Sequence, residues 1–162
     1  MYKSGDVVVY RRDVCRIKDV KEHYFFDKTY YIMSPIDDDS LVTSIPVDTT
    51  SYLRDVITKE EAEELISKIP YIETVQVSDR DIEYEYKRLL GENTLESLIK
   101  IIKTTYMRNA KRLEQNKKVS EKDEQYFNQA ERRLYNELSI SLQLSFDDTR
   151  QYVLDSVEAL LA

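Results

Sequence analysis

An α+β protein is what this sequence predicts: a small antiparallel β-barrel or meander, followed by an all-helical domain. Two observations carry that expectation. Residues 1–57 hold short β-branched and aromatic runs separated by polar turns, the pattern of short strands. From Thr58 onward the apolar residues recur at three- and four-residue intervals, the period of helices. The domain boundary is therefore placed between residues 57 and 58.

The strands come first. Gly5-Asp6 makes the turn into Val7–Tyr10, and Val14–Val20 alternates through Arg16, Lys18 and Asp19. Tyr30–Met33 and Leu41–Ile45 supply two more runs, with Pro46 ending the last or marking an edge, because proline has no N–H to give a ladder. Thr58 with Glu61 three residues on reads as a capping box. That helix runs through Ala62, Leu65, Ile66 and Ile69 and stops before Pro70. Residues 70–81 read as a linker with a short extended piece over Ile72–Val77. Helices follow over 82–90, 94–113, 120–142 and 145–160. In the second of these, Leu95, Leu98, Ile99, Ile102, Tyr106, Ala110 and Leu113 form an apolar stripe. Ala130, Leu134, Leu138 and Leu142 form that of the next.

Composition narrows the function classes. With 41% hydrophobic and 34% charged residues, the chain is ordinary for a solvated globular protein. No run of eighteen apolar residues supports a membrane span, and the N-terminus has no signal-like apolar core. A cytoplasmic protein without membrane partners is the expectation. One cysteine leaves no internal disulfide and no multi-cysteine zinc site. The net charge of −7 weighs against a life of non-specific phosphate binding. Yet between Lys100 and Lys118 seven basic residues face Glu114 alone, a local excess of +6.

Enzyme chemistry is thinly supplied. Cys15 and His23, the only histidine, are a conceivable nucleophile and base near one hairpin, but a thiol among alternating strand residues is the usual small core side chain. Asp37-Asp38-Asp39 lacks the alternating ligands, glycine and distal glutamate of a calcium loop and reads as a solvated turn. No glycine-rich phosphate loop is present, since Gly5 and Gly91 are the only glycines. The sequence therefore predicts a non-enzymatic protein without cofactor, metal or small-molecule substrate. Two surfaces stand out instead. One is the basic face of Lys100, Lys103, Arg108, Lys111, Arg112 and Lys118, with Lys87 and Arg88 upstream; the other is the aromatic group Tyr24-Phe25-Phe26 at a hairpin tip, suited to protein recognition.

Several of these stretches, in this order, resemble the CarD/CdnL family of bacterial RNA-polymerase-binding transcription regulators. Tyr2–Tyr10 (YKSGDVVVY) resembles the family's opening F-K-x-G-D-x-V-V-Y. Tyr30–Met33 resembles its Y-Y-V-L strand, Ser44–Val47 its x-V-P-V/A strand end, and Leu53–Ile57 the following L-R-x-V/L-I. Ala130 through Leu134 to Glu137-Leu138 resembles A-R-x-x-L-x-x-E-L. The resemblance implies a Tudor/SH3-like barrel that binds the polymerase β subunit, partly by strand addition, and a helical domain that touches promoter DNA and modulates open-complex formation.

The departures from that pattern define the candidate residues. Arg11-Arg12-Asp13 stands where the family continues P-x-H-G, and His23 and Ser44 align with its polymerase-facing arginines. The expected polymerase-binding set is thus Arg11, Arg12, His23, Ser44, Ile45, Pro46 and Arg54. The family's minor-groove tryptophan falls near Ile82, so the expected DNA-binding set is Ile82, Tyr84, Tyr86, Lys87 and Arg88 with the basic face named above. A Tudor-like protein adaptor without a direct DNA role is the alternative.

Overall fold

A computed structural model describes residues 1–49 and 51–161. Five strands form one antiparallel sheet: β1 (Val7–Tyr10), β2 (Asp13–Lys21), β3 (Tyr30–Pro35), β4 (Thr43–Pro46) and β5 (Leu53–Asp55). Five helices follow: α1 (Lys59–Lys68), α2 (Ile82–Glu92), α3 (Leu95–Glu114), α4 (Glu121–Leu142) and α5 (Phe146–Leu161). Among the described residues, no helix is long and apolar enough to cross a membrane.

The sheet order is β4-β3-β2-β1-β5. It curls because β2 carries an irregularity at Lys18, where Ile17 pairs Met33 and Asp19 pairs Ile32; an extra residue on one strand bends it and deepens the twist. Gly5 turns the chain into β1 with φ +95 and donates its N–H to Ile17 O at 2.8 Å. The concave side buries Val8, Cys15, Ile17, Tyr31, Met33 and Ile45. The ladder ends at β4 and at β5, so the sheet is an open half-barrel. β5 lies in the Leu53–Ile57 stretch, which the periodicity alone did not mark as a strand.

The helical half has its own core, from Ala62 and Leu65 on α1 to Val153 on α5. Its helix starts follow side-chain chemistry. Thr58 and Glu61 form the full capping box, while Thr94 and Ser120 cap α3 and α4 by accepting from the N–H groups of Ser97 and Asp123. Each such cap contributes about 1 kcal/mol. Residues 72–77 form no strand. Ile72 and Val75 pack on the helical core, and Val75 N–H donates to Thr104 Oγ1 at 2.9 Å, so α3 takes the place of a partner strand.

The two halves are joined by α4. Its Glu137, only 1% exposed, accepts both guanidinium forks of Arg54 at 2.7 Å and the N–H of Ile57 at 3.0 Å. Ser141 donates to Ile57 O at 2.7 Å. Farther along, Arg132 donates to Asp37 at 2.6 and 2.9 Å and to Asp13 at 3.0 Å, while Asn136 donates to Asp37 at 3.0 Å. Val9 and Val14 are buried in the crevice between sheet and helices, against Leu95 and Leu98.

Candidate docking edge and basic helical surface

Among the described residues, β4 is paired on one side only. Its register with β3 runs Tyr31↔Ile45 and Ile32↔Ser44, and Val47 N–H donates to Thr29 O at 3.0 Å. Backbone groups of an antiparallel strand alternate between its two sides. Thr43, Ile45 and Val47 therefore face β3, and Ser44 and Pro46 face outward. Pro46 has no N–H and its carbonyl accepts from Thr49 N–H at 3.0 Å, so within β4 the open edge offers the N–H and the carbonyl of Ser44. Ile45 anchors the strand in the core at 7% exposure, and Ser44 is exposed. Just before the strand, Leu41 and Val42 are exposed apolar residues.

The β2–β3 hairpin tip lies on the β3 side of the sheet. Tyr24 and Phe25 make edge contacts to Tyr30 at ring-centroid distances of 5.5 and 6.0 Å, while Phe26 is 91% exposed. Phe26 and Asp27 adopt φ values of 53 and 55, a left-handed backbone that costs a non-glycine residue about 1 kcal/mol or more. His23 is also left-handed, at φ 50, and its Nδ1 lies 2.5 Å from Asp27 Oδ1. The tip therefore presents an aromatic face in a constrained turn.

The expected arginines lie elsewhere, at the junction of sheet and helices. Arg11 takes a left-handed φ of 53 in the β1–β2 turn. Its guanidinium sits 4.3 Å from the Tyr52 ring centroid, its N–H donates to Tyr52 O, and its carbonyl accepts from Asn93. Arg12 is exposed beside that turn and lines the crevice with Arg133. Burial and the nearby Arg12 charge lower the Arg133 pKa from its ordinary value, and Arg133 Nη1 has no hydrogen-bond partner among the described residues. Arg54 is committed to Glu137, whose hydrogen bonds raise its pKa against the opposing effect of burial.

On the helical side, the structure separates the DNA candidates. Ile82 is 3% exposed and Tyr86 is fully buried, packed as core. Tyr86 donates to Asp123 at 2.8 Å, and burial with that bond pushes its hydroxyl pKa upward. Tyr84 is 71% exposed. Lys87 pairs with Glu83, and Arg88 with Glu85 and Glu92. Lys103 donates to the carbonyls of Ile69 and Ile72 at 2.7 and 2.6 Å, Arg108 to Asp79 and Asp123, and Arg112 to Lys118 O. Lys100, Lys111 and Lys118, with Lys117, have no ion-pair partner among the described residues. The buried residues of α3 are Ser97, Leu98, Ile99, Ile101, Thr104, Thr105 and Asn109. The expected stripe holds at Leu98 and Ile99, with Leu95 and Ile102 packed on the core. Beyond them the buried face turns away, so Tyr106 and Leu113 lie outward at 71% and 59% exposure. Polar Thr104, Thr105 and Asn109 serve as core because each finds a partner: Val75 N, Ile101 O and Ser120 N.

Cys15 and His23 have separate surroundings. Cys15 is 3% exposed, and burial, reinforced by the charge of Asp13, pushes its thiol up to about 12; its contact is Asp13 O at 3.8 Å. Of the three acids at 37–39, Asp38 accepts from Ser40 and Asp39 pairs with Lys18, while Asp37 is the acceptor for α4. Sequence reasoning missed Glu137, Arg132, Asn136 and Asp37 as junction residues. The available signal was Glu137 beside the apolar stripe position Leu138, one turn after Leu134.

The chain matches no protein-family model and no curated protein.

Proposed function

We propose that this protein is a non-enzymatic transcription regulator, similar to the CarD/CdnL regulators, that docks on the RNA polymerase β subunit through the open edge of a Tudor-like half-barrel. The observation that carries this reading is the edge of β4. It offers the N–H and the carbonyl of Ser44 to a partner strand, beside the aromatic hairpin tip and the exposed Leu41 and Val42. Pro46 limits how far a partner can pair, which guards a lone chain against edge-to-edge aggregation. Docking there holds the helices at a fixed place on the polymerase, because Arg54–Glu137 and Arg132–Asp37 tie α4 to the sheet. The unpaired Lys100, Lys111, Lys117 and Lys118 then lie at high effective concentration near promoter DNA, where cations steer toward phosphates.

A second reading, a polymerase-bound or other protein adaptor without DNA contact, is favoured by a specific finding. Ile82 and Tyr86 are core, and five of the expected cations are spent on intramolecular partners. The two readings separate in one pair of experiments. Purified polymerase β subunit retains the protein in a pull-down at low and moderate salt if it is the docking partner; recovery of nothing contradicts the regulator and leaves an adaptor for another protein. The regulator lengthens or shortens open-complex lifetime on a promoter, whereas unchanged lifetime with β binding retained establishes the adaptor.

A further inference from the structure

A groove of about 520 Å³ lies between α3, α4, α5 and the end of α1, away from the β4 edge. Its floor is Ile99, Leu134 and Val153, all nearly fully buried, and its rim includes the exposed Tyr106 and Leu154. A cavity of this size with a few polar groups is what small-molecule sites require. The polar groups here are unbalanced. Glu131 is the one carboxylate in the lining, and it is taken by Arg150. Lys103 uses two N–H groups on the carbonyls of Ile69 and Ile72, keeps a third, and has no carboxylate partner among the described residues. Burial alone accounts for the lowering of its pKa. Tyr135 also lines the groove, 4% exposed, and its hydroxyl donates to no protein group among the described residues. The groove thus holds surplus donors and a net positive charge on apolar walls, and its one carboxylate is already engaged by Arg150.

We propose that this groove binds an amphipathic carboxylate, an aliphatic chain lying on Ile99, Leu134 and Val153 with its carboxylate accepting from Lys103 Nζ. The ligand supplies an acceptor and a negative charge for Lys103, while its chain covers Tyr106 and Leu154. Calorimetry of the full chain with dodecanoate and with dodecanol, both kept below their aggregation concentrations, tests this. Dodecanoate is expected to bind one saturable site about tenfold more tightly than the neutral alcohol, the scale of one charge-assisted hydrogen bond. Lys103→Gln should lose that tenfold preference and leave dodecanol unchanged, and Leu154→Glu, a rim substitution that leaves the core intact, should weaken both. Circular dichroism on each variant confirms the fold. Absence of saturable binding, equal affinity for the two probes, or an unchanged preference in a folded Lys103→Gln overturns the proposal. Self-association of the chain that Leu154→Glu abolishes would assign the groove to a second copy and overturns it as well.

Discussion

At Glu137, a carboxylate 1% exposed is satisfied by Arg54 and the Ile57 N–H. A charge so placed is tolerable only while its partners remain. Arg54→Met therefore leaves it unmatched, and chemical denaturation should show a loss of about 2–3 kcal/mol, below the usual range for fully buried pairs because Arg54 is half exposed. Arg133 offers the opposite case. Its Nη1 is buried without a partner among the described residues and its charge stands near Arg12, so Arg133→Met should raise stability by about 1 kcal/mol in the same measurement. Neither behaviour was legible in the sequence. Arg54, Arg132 and Arg133 are the same residue type, and only their tertiary neighbours, eighty or more residues away for the first two, distinguish bridge from burden. The thiol of Cys15 was legible, because a small apolar side chain alternating inward along a strand has one usual place.

Among the elements, the capping box at Thr58 came out as read, and Thr94 and Ser120, read as the first residues of their segments, cap α3 and α4 in the same way. The face of α3 came out as read only in its first half, at Leu95, Leu98, Ile99 and Ile102. A stripe counted from apolar residues placed Tyr106 and Leu113 inward, whereas Thr104, Thr105 and Asn109 occupy that side by finding hydrogen-bond partners, which periodicity cannot register. The docking edge makes two predictions at this scale. Ser44→Pro removes an outward N–H while sparing the β3–β4 ladder, so the thermal midpoint should stay nearly constant while polymerase β affinity falls by about tenfold, read by surface plasmon resonance. Phe26→Ala, at a 91% exposed position, should leave stability within about 0.5 kcal/mol and weaken partner binding in the same assay.

The whole molecule is two hydrophobic cores held in one arrangement by polar bonds across α4. That junction carries a pH dependence. Burial raises the Asp37 pKa, but the bonds from Arg132 and Asn136 outweigh it and hold the carboxyl below its ordinary value. A carboxyl held low when folded contributes stability that is complete above the unfolded aspartate value of about 3.9 and is lost as pH falls through the lower folded value. Stability should thus fall below about pH 4, and Asp37→Asn should flatten part of that decline in denaturation curves taken at successive pH values. The α+β class and the order of sheet before helices were legible, since each half has its own period. The junction was not, because Asp37-Asp38-Asp39 reads as a turn unless α4 is known to pass above it.

The central claim is that a partner strand adds to β4, and amide exchange at Ser44 tests it most directly. In the protein alone this N–H faces outward from the sheet and exchanges freely; in complex with the polymerase β subunit it should become protected, with the Ile45 amide little changed. A complex that forms while Ser44 exchanges as fast as before contradicts strand addition at this edge.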